Sequence, residues 1–100
     1  MKKKNVLITG SSRGIGRACA LAFAGAGYHV FINCRKSPDQ LRQTYSEIIS
    51  SGGSCTMLPG DVSDPECVRA MFRELKTVCE GPDVLVNNAG VAYFGLLSDM

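Results

Sequence analysis

Four short apolar runs alternate with three longer segments of helical spacing, and this alternation restricts the fold more than any other feature of the chain. The runs are residues 6–8, 29–33, 55–58 and 83–87. Short runs rich in β-branched residues and bounded by turn-forming residues are typical of strands buried on both faces of a parallel sheet. Consecutive parallel strands need a long crossover, and each intervening segment is long enough for one helix. The sequence therefore predicts the order β-α-β-α-β-α-β.

The ends of the first two helices are predicted from glycine, proline and capping residues. The first helix extends from Gly14 until Gly25 and Gly27 end it, and the second begins with Ser37 as N-cap and runs to about Ser51. In the first helix the apolar residues recur at spacings of three and four, which predicts one buried face. The residues of that face are Ile15, Ala18, Cys19, Ala22, Phe23 and Ala26.

The third helix is predicted to begin with a capping box, in which Ser63 and Glu66 bond each other's backbone groups. Gly81 and Pro82 end it, because proline cannot continue a helix. The predicted buried face comprises Val68, Met71, Phe72, Leu75, Val78 and Cys79.

Right-handed crossovers limit how these elements can be arranged. If the first strand is central, the second and third strands extend the sheet on one side, and the third helix returns over the opposite face to place the fourth strand beside the first. The predicted fold is a doubly wound parallel α/β sheet with the strand order 3-2-1-4. Its ligand crevice is expected at the carboxyl ends of strands one and four.

Composition excludes several classes of protein. The chain has 100 residues, of which 45% are hydrophobic and 20% charged, as in ordinary globular proteins. No apolar run approaches the roughly 20 residues that span a bilayer. The net charge of +2 comes partly from residues 2–4, a short basic start that favours solubility over nucleic-acid binding. Five widely spaced cysteines without a C-x-x-C pair argue against a disulfide framework and a metal site. We expect a cytoplasmic protein with no membrane or nucleic-acid partner.

The glycine-rich segment TGSSRGIG, residues 9–16, joins the first strand to the first helix. Gly10, Gly14 and Gly16 leave room, in that order, for the turn, for a ligand and for packing of the helix on the strand. A helix N-terminus presents unpaired N–H groups and about half a positive charge, which suits a phosphate. The spacing G-x-x-x-G-x-G differs from the commoner G-x-G-x-x-G of dinucleotide sites. Taken alone, the turn is compatible with a phosphate site and with a flexible connection.

Three motifs together resemble the N-terminal half of the short-chain dehydrogenases/reductases: TGSSRGIG at 9–16, DV at 61–62 and NNAG at 87–90. The resemblance covers nearly the whole chain and implies a Rossmann-like fold whose glycine turn holds the pyrophosphate of a nicotinamide cofactor. It implies that Asp61 accepts a hydrogen bond from the adenine amino group, with Val62 beside the ring, and that residues 88–90 line the adenine-ribose side. The implied cofactor-binding residues are Gly10, Ser11, Ser12, Arg13, Gly14, Ile15, Gly16, Asp61, Val62, Asn88, Ala89 and Gly90.

The residues after the second strand indicate which cofactor is preferred. Family members that use the unphosphorylated cofactor have an acid near the end of this strand, where this chain has Cys34. Arg35 and Lys36 follow, and Arg13 in the glycine turn is expected to point to the same corner. A 2′-phosphate carries nearly two negative charges, which a guanidinium can pair and a carboxylate would repel. We therefore predict NADP(H), held by Arg13 and Arg35; the alternative is that Arg35 and Lys36 form only a solvated loop.

Asn87 and the family's catalytic groups are interpreted differently from the cofactor residues. Asn87, at a strand end, is expected to satisfy neighbouring backbone groups. The family's catalytic tyrosine and lysine form a Y-x-x-x-K pair, and none of the three tyrosines here has a lysine four residues later. The resemblance thus implies that residues 1–100 are the N-terminal cofactor-binding part of a single domain, truncated before its catalytic half. No catalytic residue is predicted among them.

The resemblance also implies the class of reaction, the NADPH-dependent reduction of a ketone to an alcohol. Within the family, the chain is most similar to bacterial reductases of 3-oxoacyl groups on acyl carrier protein, which serve fatty acid synthesis. The segment AYFGLLSDM at 92–100 also resembles the reductase of the 5-aminopentanone modification of elongation factor P. A non-catalytic, truncated nucleotide-binding fragment is the third alternative. The full-length form is expected to be a homotetramer or homodimer.

Overall fold

Parallel strands and helices alternate along the chain in the computed structural model, which describes residues 3–12, 14–36 and 38–88. Each strand begins and ends within one residue of the ends of its apolar run, and a helix fills each crossover. In chain order the elements are β1 (Asn5–Ile8), α1 (Gly14–Gly25), β2 (His29–Ile32), α2 (Pro38–Ser50), β3 (Ser54–Met57), α3 (Pro65–Leu75) and β4 (Val84–Val86).

The four strands form one sheet in the order β3-β2-β1-β4, which confirms the predicted topology. All three pairings are parallel, with Val6 opposite Val30 on one side and opposite Val84 on the other. Parallel pairing brings the carboxyl ends of all four strands to one edge of the sheet. Asn33 lies just beyond β2, because its backbone N–H donates to the Ser11 hydroxyl instead of continuing the ladder.

The sheet is covered on both faces, as a doubly wound fold requires. Alternate residues of β1 point to opposite sides, so that Val6 and Ile8 pack with α1 and α2, while Leu7 packs with α3. Burial of each such aliphatic or aromatic side chain stabilises the fold by about 1.5–3 kcal/mol relative to exposure. The largest fully buried side chains are Phe31, Phe72, Leu7, Ile8, Ile32, Leu41, Ile48, Leu58 and Leu75.

The buried face of α1 differs from the predicted one. The buried stripe is Gly16, Ala20 and Ala24, at spacings of four, whereas Ile15 is 75% exposed. Small residues along this stripe let the helix lie close to the sheet, and that proximity sets the rotation of the helix. Of the predicted face, Ala18, Ala22 and Ala26 are exposed and Cys19 and Phe23 are half-buried.

Both ends of α3 also differ from the prediction. The N-cap is Asp64, whose Oδ1 accepts a hydrogen bond from the Glu66 N–H at 3.0 Å, so the capping box from Ser63 was wrong. The helix ends at Leu75, where tighter i to i+3 bonds, such as Val78 N–H to the Leu75 carbonyl, change the rotation of the chain. Val78 is therefore 50% exposed, although it was predicted to be buried. Ser37, the predicted N-cap of α2, lies outside the described residues.

Candidate functional site

The loops that follow the four strands meet at the carboxyl edge of the sheet. They comprise residues 9–12, 33–36, 58–63 and 87–88. In open α/β sheets ligands bind at this edge, where the strand order reverses. Here the reversal lies between β1 and β4, so the glycine turn and the segment after β4 occupy the expected crevice.

The backbone geometry of the turn explains why each of the positions 10, 14 and 16 is a glycine. Gly10 has φ = 62° and Gly14 has φ = 61°, in the left-handed region that disfavours side chains. A Cβ on Gly16 would lie 2.1 Å from the Gly10 carbonyl oxygen and 2.8 Å from Asn88 Nδ2. The turn therefore passes directly over the first turn of α1, and no larger residue fits at Gly16 without moving one of them.

The first turn of α1 is suited electrostatically to an anion. Its N-terminal N–H groups lack helical acceptors and carry the positive end of the helix dipole. No acidic residue lies in this first turn to compete for that charge. Ile15, which is exposed there, adds an apolar surface beside the turn. Arg13 was predicted to contact the cofactor and lies outside the described residues.

The end of β4 is fastened to the glycine turn. The Thr9 N–H donates to the Val86 carbonyl at 3.1 Å, and the Asn88 N–H donates to the Thr9 hydroxyl at 3.0 Å. Asn88 Nδ2 also donates to the Gly10 carbonyl at 3.1 Å. Asn87 was predicted to satisfy backbone groups; in the structure its Oδ1 accepts from the Thr9 hydroxyl at 3.3 Å, while Asn88 bonds the backbone of the turn. Ala89 and Gly90 lie outside the described residues.

Ser11 supports the turn from inside the molecule. Its side chain is buried, and its hydroxyl donates to the Ile8 carbonyl at 2.9 Å and accepts from the Asn33 N–H at 2.7 Å. Its own N–H donates to the Asn33 carbonyl at 2.8 Å. These bonds direct the Ser11 hydroxyl toward the end of β2, and they fix the conformation of the backbone at Ser11.

Sequence reasoning missed two buried polar residues that shape the turn. Thr44, in α2, places its hydroxyl 3.4 Å from the Ser11 carbonyl and 3.5 Å from the Ser12 carbonyl. Asn33, at the end of β2, accepts from the Gly10 N–H through its side chain at 3.3 Å. Both stand at positions where the pattern calls for an apolar residue, with Thr44 at helical spacing from Leu41. The sequence signal that could have identified both residues was a polar side chain at a position predicted to be buried.

The predicted adenosine corner contains a pair of opposite charges. Asp61 Oδ2 lies 3.4 Å from Arg35 Nε, and Asp61 Oδ1 accepts from the Ser63 N–H at 2.9 Å and from the Ser63 hydroxyl at 2.6 Å. The hydrogen bonds from Ser63 lower the pKa of Asp61, and the charges of Arg35 and Lys36 lower it further. The carboxylate is therefore ionised at neutral pH and directed toward the loop after β2.

Val62 occupies a different position from its neighbour. Its side chain is 5% exposed and packs in the cluster formed with Leu58 and Phe72, on the α3 side of the sheet. The structure thus places Gly10, Ser12, Gly14, Gly16 and Asn88 around the turn. It places Arg35 and Asp61 together at the second corner.

The opposite edge of the sheet also has an open groove, of about 910 Å³, lined by residues that include Lys3, His29 and Asp83. The ring nitrogens of His29 contact the hydroxyls of Ser54 and Thr56, the latter at 2.8 Å. Burial lowers the pKa of His29, and the charge of Lys3 lowers it further. This groove lies far from the glycine turn. Among the described residues, no cluster of His, Cys, Asp or Glu is arranged to hold a metal, and no helix is long and apolar enough to cross a membrane.

Comparison with known proteins gives consistent matches along the chain. The family model of short chain dehydrogenases matches residues 4–100. The chain is 40% identical over 91 residues to 3beta-hydroxysteroid dehydrogenase 1 of Eggerthella lenta, covering 91% of this chain and 35% of that protein. It is 39% identical over 97 residues to the 3-oxoacyl-[acyl-carrier-protein] reductase FabG of Staphylococcus aureus, covering 97% of this chain and 39% of that protein.

Solved structures agree with the family match. A metagenomic short-chain oxidoreductase in complex with NADP superposes with a TM-score of 0.81 at 35% identity, covering 92% of this chain and 41% of that one. The chain thus spans between one third and two fifths of the length of the relatives that it matches.

Proposed function

Because this chain belongs to the short-chain dehydrogenase/reductase family, whose members bind nicotinamide cofactors, we propose that it forms the NADPH-binding part of an oxidoreductase that reduces a ketone to an alcohol. The observation that carries the proposal is the shared sheet edge: the glycine turn at the start of α1 and the Arg35 guanidinium lie on adjacent strand ends. In this proposal residues 1–100 belong to one Rossmann domain, with the catalytic half outside this segment.

The residues present fit a dinucleotide phosphate. The turn has no side chain at Gly10, Gly14 or Gly16, and a Cβ at Gly16 would already collide with the Gly10 carbonyl. The first turn of α1 carries no acid. When bound, NADPH would supply the hydride for carbonyl reduction. The chain's own contribution is to hold the pyrophosphate on the N–H groups of α1 and to orient the adenosine end.

Charge at the second corner favours the 2′-phosphorylated cofactor. Cys34 is buried and stands where, in other family members, an acid would repel the phosphate. Arg35 and Lys36, beside it in the sequence, are exposed. A guanidinium pairs a phosphate through charge-assisted hydrogen bonds, which are about twice as strong as neutral ones. In the proposal Arg35 and Arg13 contact the 2′-phosphate, Asp61 contacts the adenine amino group, and Asn88, Ala89 and Gly90 border the adenine-ribose side.

For the substrate we propose a 3-oxoacyl group on acyl carrier protein. The support is the 39% identity to the Staphylococcus aureus reductase, but the Eggerthella lenta hydroxysteroid dehydrogenase is equally similar. Both names describe chemistry between a ketone and an alcohol. Reduction of the 5-aminopentanone group on elongation factor P is a further candidate within the same reaction class. The proposed protein is cytoplasmic and forms a homotetramer or homodimer.

Cofactor binding and turnover test separate parts of this proposal. Titration of the full-length gene product with NADPH and NADH should show at least about tenfold tighter binding of NADPH, as expected for a paired phosphate. Equal affinities would contradict the cofactor assignment. Oxidation of NADPH is then followed with a 3-oxoacyl thioester of acyl carrier protein, a 3-keto steroid and 5-aminopentanone-modified elongation factor P. Binding without turnover of any ketone would support the non-catalytic alternative.

A further inference from the structure

Asn33 connects the two corners of the candidate cofactor site. It lies at the end of β2 and is 1% exposed. Its side-chain Oδ1 accepts from the Gly10 N–H at 3.3 Å, and its Nδ2 donates to the Leu58 carbonyl at 2.8 Å and to the Gly60 carbonyl at 3.1 Å. One amide group therefore bonds the glycine turn after β1 and the loop after β3, which leads into Asp61.

The backbone at this position reinforces the same connection. The N–H and carbonyl of Asn33 both bond Ser11, at 2.7 and 2.8 Å. The backbone carbonyl of the next residue, Cys34, accepts a hydrogen bond from the Gly60 N–H at 3.0 Å. These backbone bonds bring three loops together, and the Asn33 side chain fills the space between them with hydrogen bonds to both neighbours.

An asparagine suits this position because it carries one acceptor and two donors in a short planar group. The partners are a backbone N–H on one side and two backbone carbonyls on the other, which match that set. A serine offers a single donor hydrogen, and an aliphatic residue would leave buried backbone groups without partners. The residue is therefore specified by the two loops jointly, rather than by the packing of β2.

We propose that Asn33 is a positioning residue, which fixes the separation between the diphosphate-binding turn and the adenosine-binding loop. This inference rests on the proposed function, since it concerns how the two halves of the same dinucleotide are held. A ligand that spans both loops gains affinity because the second contact becomes intramolecular, and this gain is lost if the geometry is not maintained. A ligand that contacts only one loop does not depend on the separation.

The test compares one spanning ligand with two fragments. Wild-type protein and Asn33→Ala are titrated with NADP⁺, with adenosine and with inorganic pyrophosphate. The affinity of Asn33→Ala for NADP⁺ should fall by at least about tenfold, while its affinity for each fragment should change by less than about threefold. Loss of a merely structural residue would not separate the spanning ligand from its fragments.

Leu75→Ala is the matched control, because Leu75 is fully buried at the far end of α3, away from both loops. A smaller folded fraction lowers all three apparent affinities by the same factor, and this is the result expected for the control. The same uniform loss in Asn33→Ala would overturn the proposal, and so would unchanged binding of NADP⁺. If the wild type binds no NADP⁺, the proposed function fails and this inference fails with it.

Asn33→Asp extends the test if Asn33→Ala does not fold. The substitution keeps the shape and the acceptor for the Gly10 N–H, but an ionised carboxylate cannot donate to the Leu58 and Gly60 carbonyls. Protonation of the introduced carboxyl restores one donor, and burial favours the protonated form. The affinity of this variant for NADP⁺, relative to the wild type, should rise as the pH falls from about 8 to about 6. A ratio independent of pH would overturn the proposal.

Discussion

Arg35 and Asp61 form an ion pair at the predicted adenosine corner. The charge of each residue therefore changes the electrostatic attraction between the other residue and a ligand bound there. Asp61 is bonded twice by Ser63, which fixes its carboxylate, whereas Arg35 is 63% exposed and its charge is only loosely paired. Exposed ion pairs contribute little to stability, typically about 0–1 kcal/mol. In the proposed function the pair therefore acts on ligand selection more than on the stability of the fold.

Removal of the Arg35 guanidinium should affect one cofactor only. Arg35→Ala should weaken NADPH binding by about 1–3 kcal/mol, the range for loss of a charged hydrogen-bonding partner, and leave NADH binding nearly unchanged. Calorimetric titration with both cofactors measures the difference. Arg42→Ala is the control, because Arg42 carries the same charge on the exposed surface of α2, paired with Asp39. Equal losses for NADPH and NADH would refute the assignment of Arg35.

Asp61 should act on cofactor preference with the opposite sign. Its carboxylate competes with a 2′-phosphate for Arg35, so Asp61→Asn should raise the ratio of the NADH to the NADPH dissociation constant. Both absolute affinities fall if the adenine contact is also lost, and the ratio separates the two effects. Asp39→Asn, which breaks the exposed pair with Arg42, serves as the matched substitution. A ratio that stays constant or decreases would show that Asp61 does not compete for Arg35.

At the scale of elements, the position of α1 depends on small residues that let the helix pack close to the sheet. Gly16, Ala20 and Ala24 form the stripe that faces the sheet, and Gly16 lies under the turn that it helps to form. The short distance between the N-terminus of α1 and the glycine turn therefore requires that residue 16 has a hydrogen atom in place of a Cβ methyl group. Gly25, at the other end of the helix, has no neighbour within 4 Å of its Cβ position.

Two glycine substitutions in the same helix should therefore have opposite effects. Gly16→Ala should destabilise the fold by about 1–3 kcal/mol, the usual cost of overpacking, and should abolish measurable NADPH binding. Gly25→Ala should be neutral or stabilising by up to about 1 kcal/mol, because alanine is the better helix former. Urea unfolding of both variants measures the difference. A Gly16→Ala protein as stable as wild type would mean that turn and helix can separate without cost.

His29 couples β2 to β3 through the hydroxyls of Ser54 and Thr56, and this coupling should depend on pH. Since the pKa of His29 in the folded chain is lowered below its ordinary value of 6.5, the unfolded chain binds more protons below that pH. Stability should therefore fall as the pH is lowered through and below 6.5. His29→Gln should flatten this part of the curve of unfolding free energy against pH, and Lys3→Gln should reduce the slope only slightly. An unchanged slope in His29→Gln would exclude His29 as its source.

The sequence was sufficient for the order of strands, because the alternation of short apolar runs with helical segments leaves few right-handed arrangements. It was insufficient for the rotation of α1. Hydropathy predicts that Ile15 is buried against the sheet, whereas close packing of the helix on the sheet requires the small Gly16 there. The end of α3 was missed for a related reason, since the apolar period continues to Val78 after the backbone has left the helix. Within the site, Gly10, Gly14 and Gly16 were located from spacing, whereas Asn33 and Thr44 depend on contacts between distant segments.

At the scale of the whole molecule, the candidate site lies at one edge of the sheet and joins loops from four strands. A ligand bound there contacts segments that are distant in sequence, and it binds the folded state only. Saturation should therefore stabilise the entire domain rather than a single loop.

Thermal unfolding measures this linkage. NADPH at 100 times its dissociation constant should stabilise the protein by about 2.7 kcal/mol. For a domain of about 150–250 residues, as proposed for the full-length protein, each kcal/mol corresponds to a rise of about 2–4 °C in Tm. NADH at the same concentration should raise Tm by clearly less, and the Arg35→Ala protein should lose most of the difference between the two cofactors. Identical shifts with both cofactors would contradict the role given to the basic corner.

The hydrogen bonds around Ser11 have a consequence for the kinetics of binding. The carbonyls of Ser11 and Ser12 lie within reach of the Thr44 hydroxyl, and the Gly10 carbonyl accepts from Asn88 Nδ2, so other residues of this chain bond the backbone of residues 10–12. The conformational entropy of residues 10–12 is therefore lost when the chain folds, and we expect no further ordering of these residues when the proposed nucleotide binds. Association should proceed as a single bimolecular step, without a slow loop-closing phase, and differences in affinity among turn variants should appear mainly in the dissociation rate.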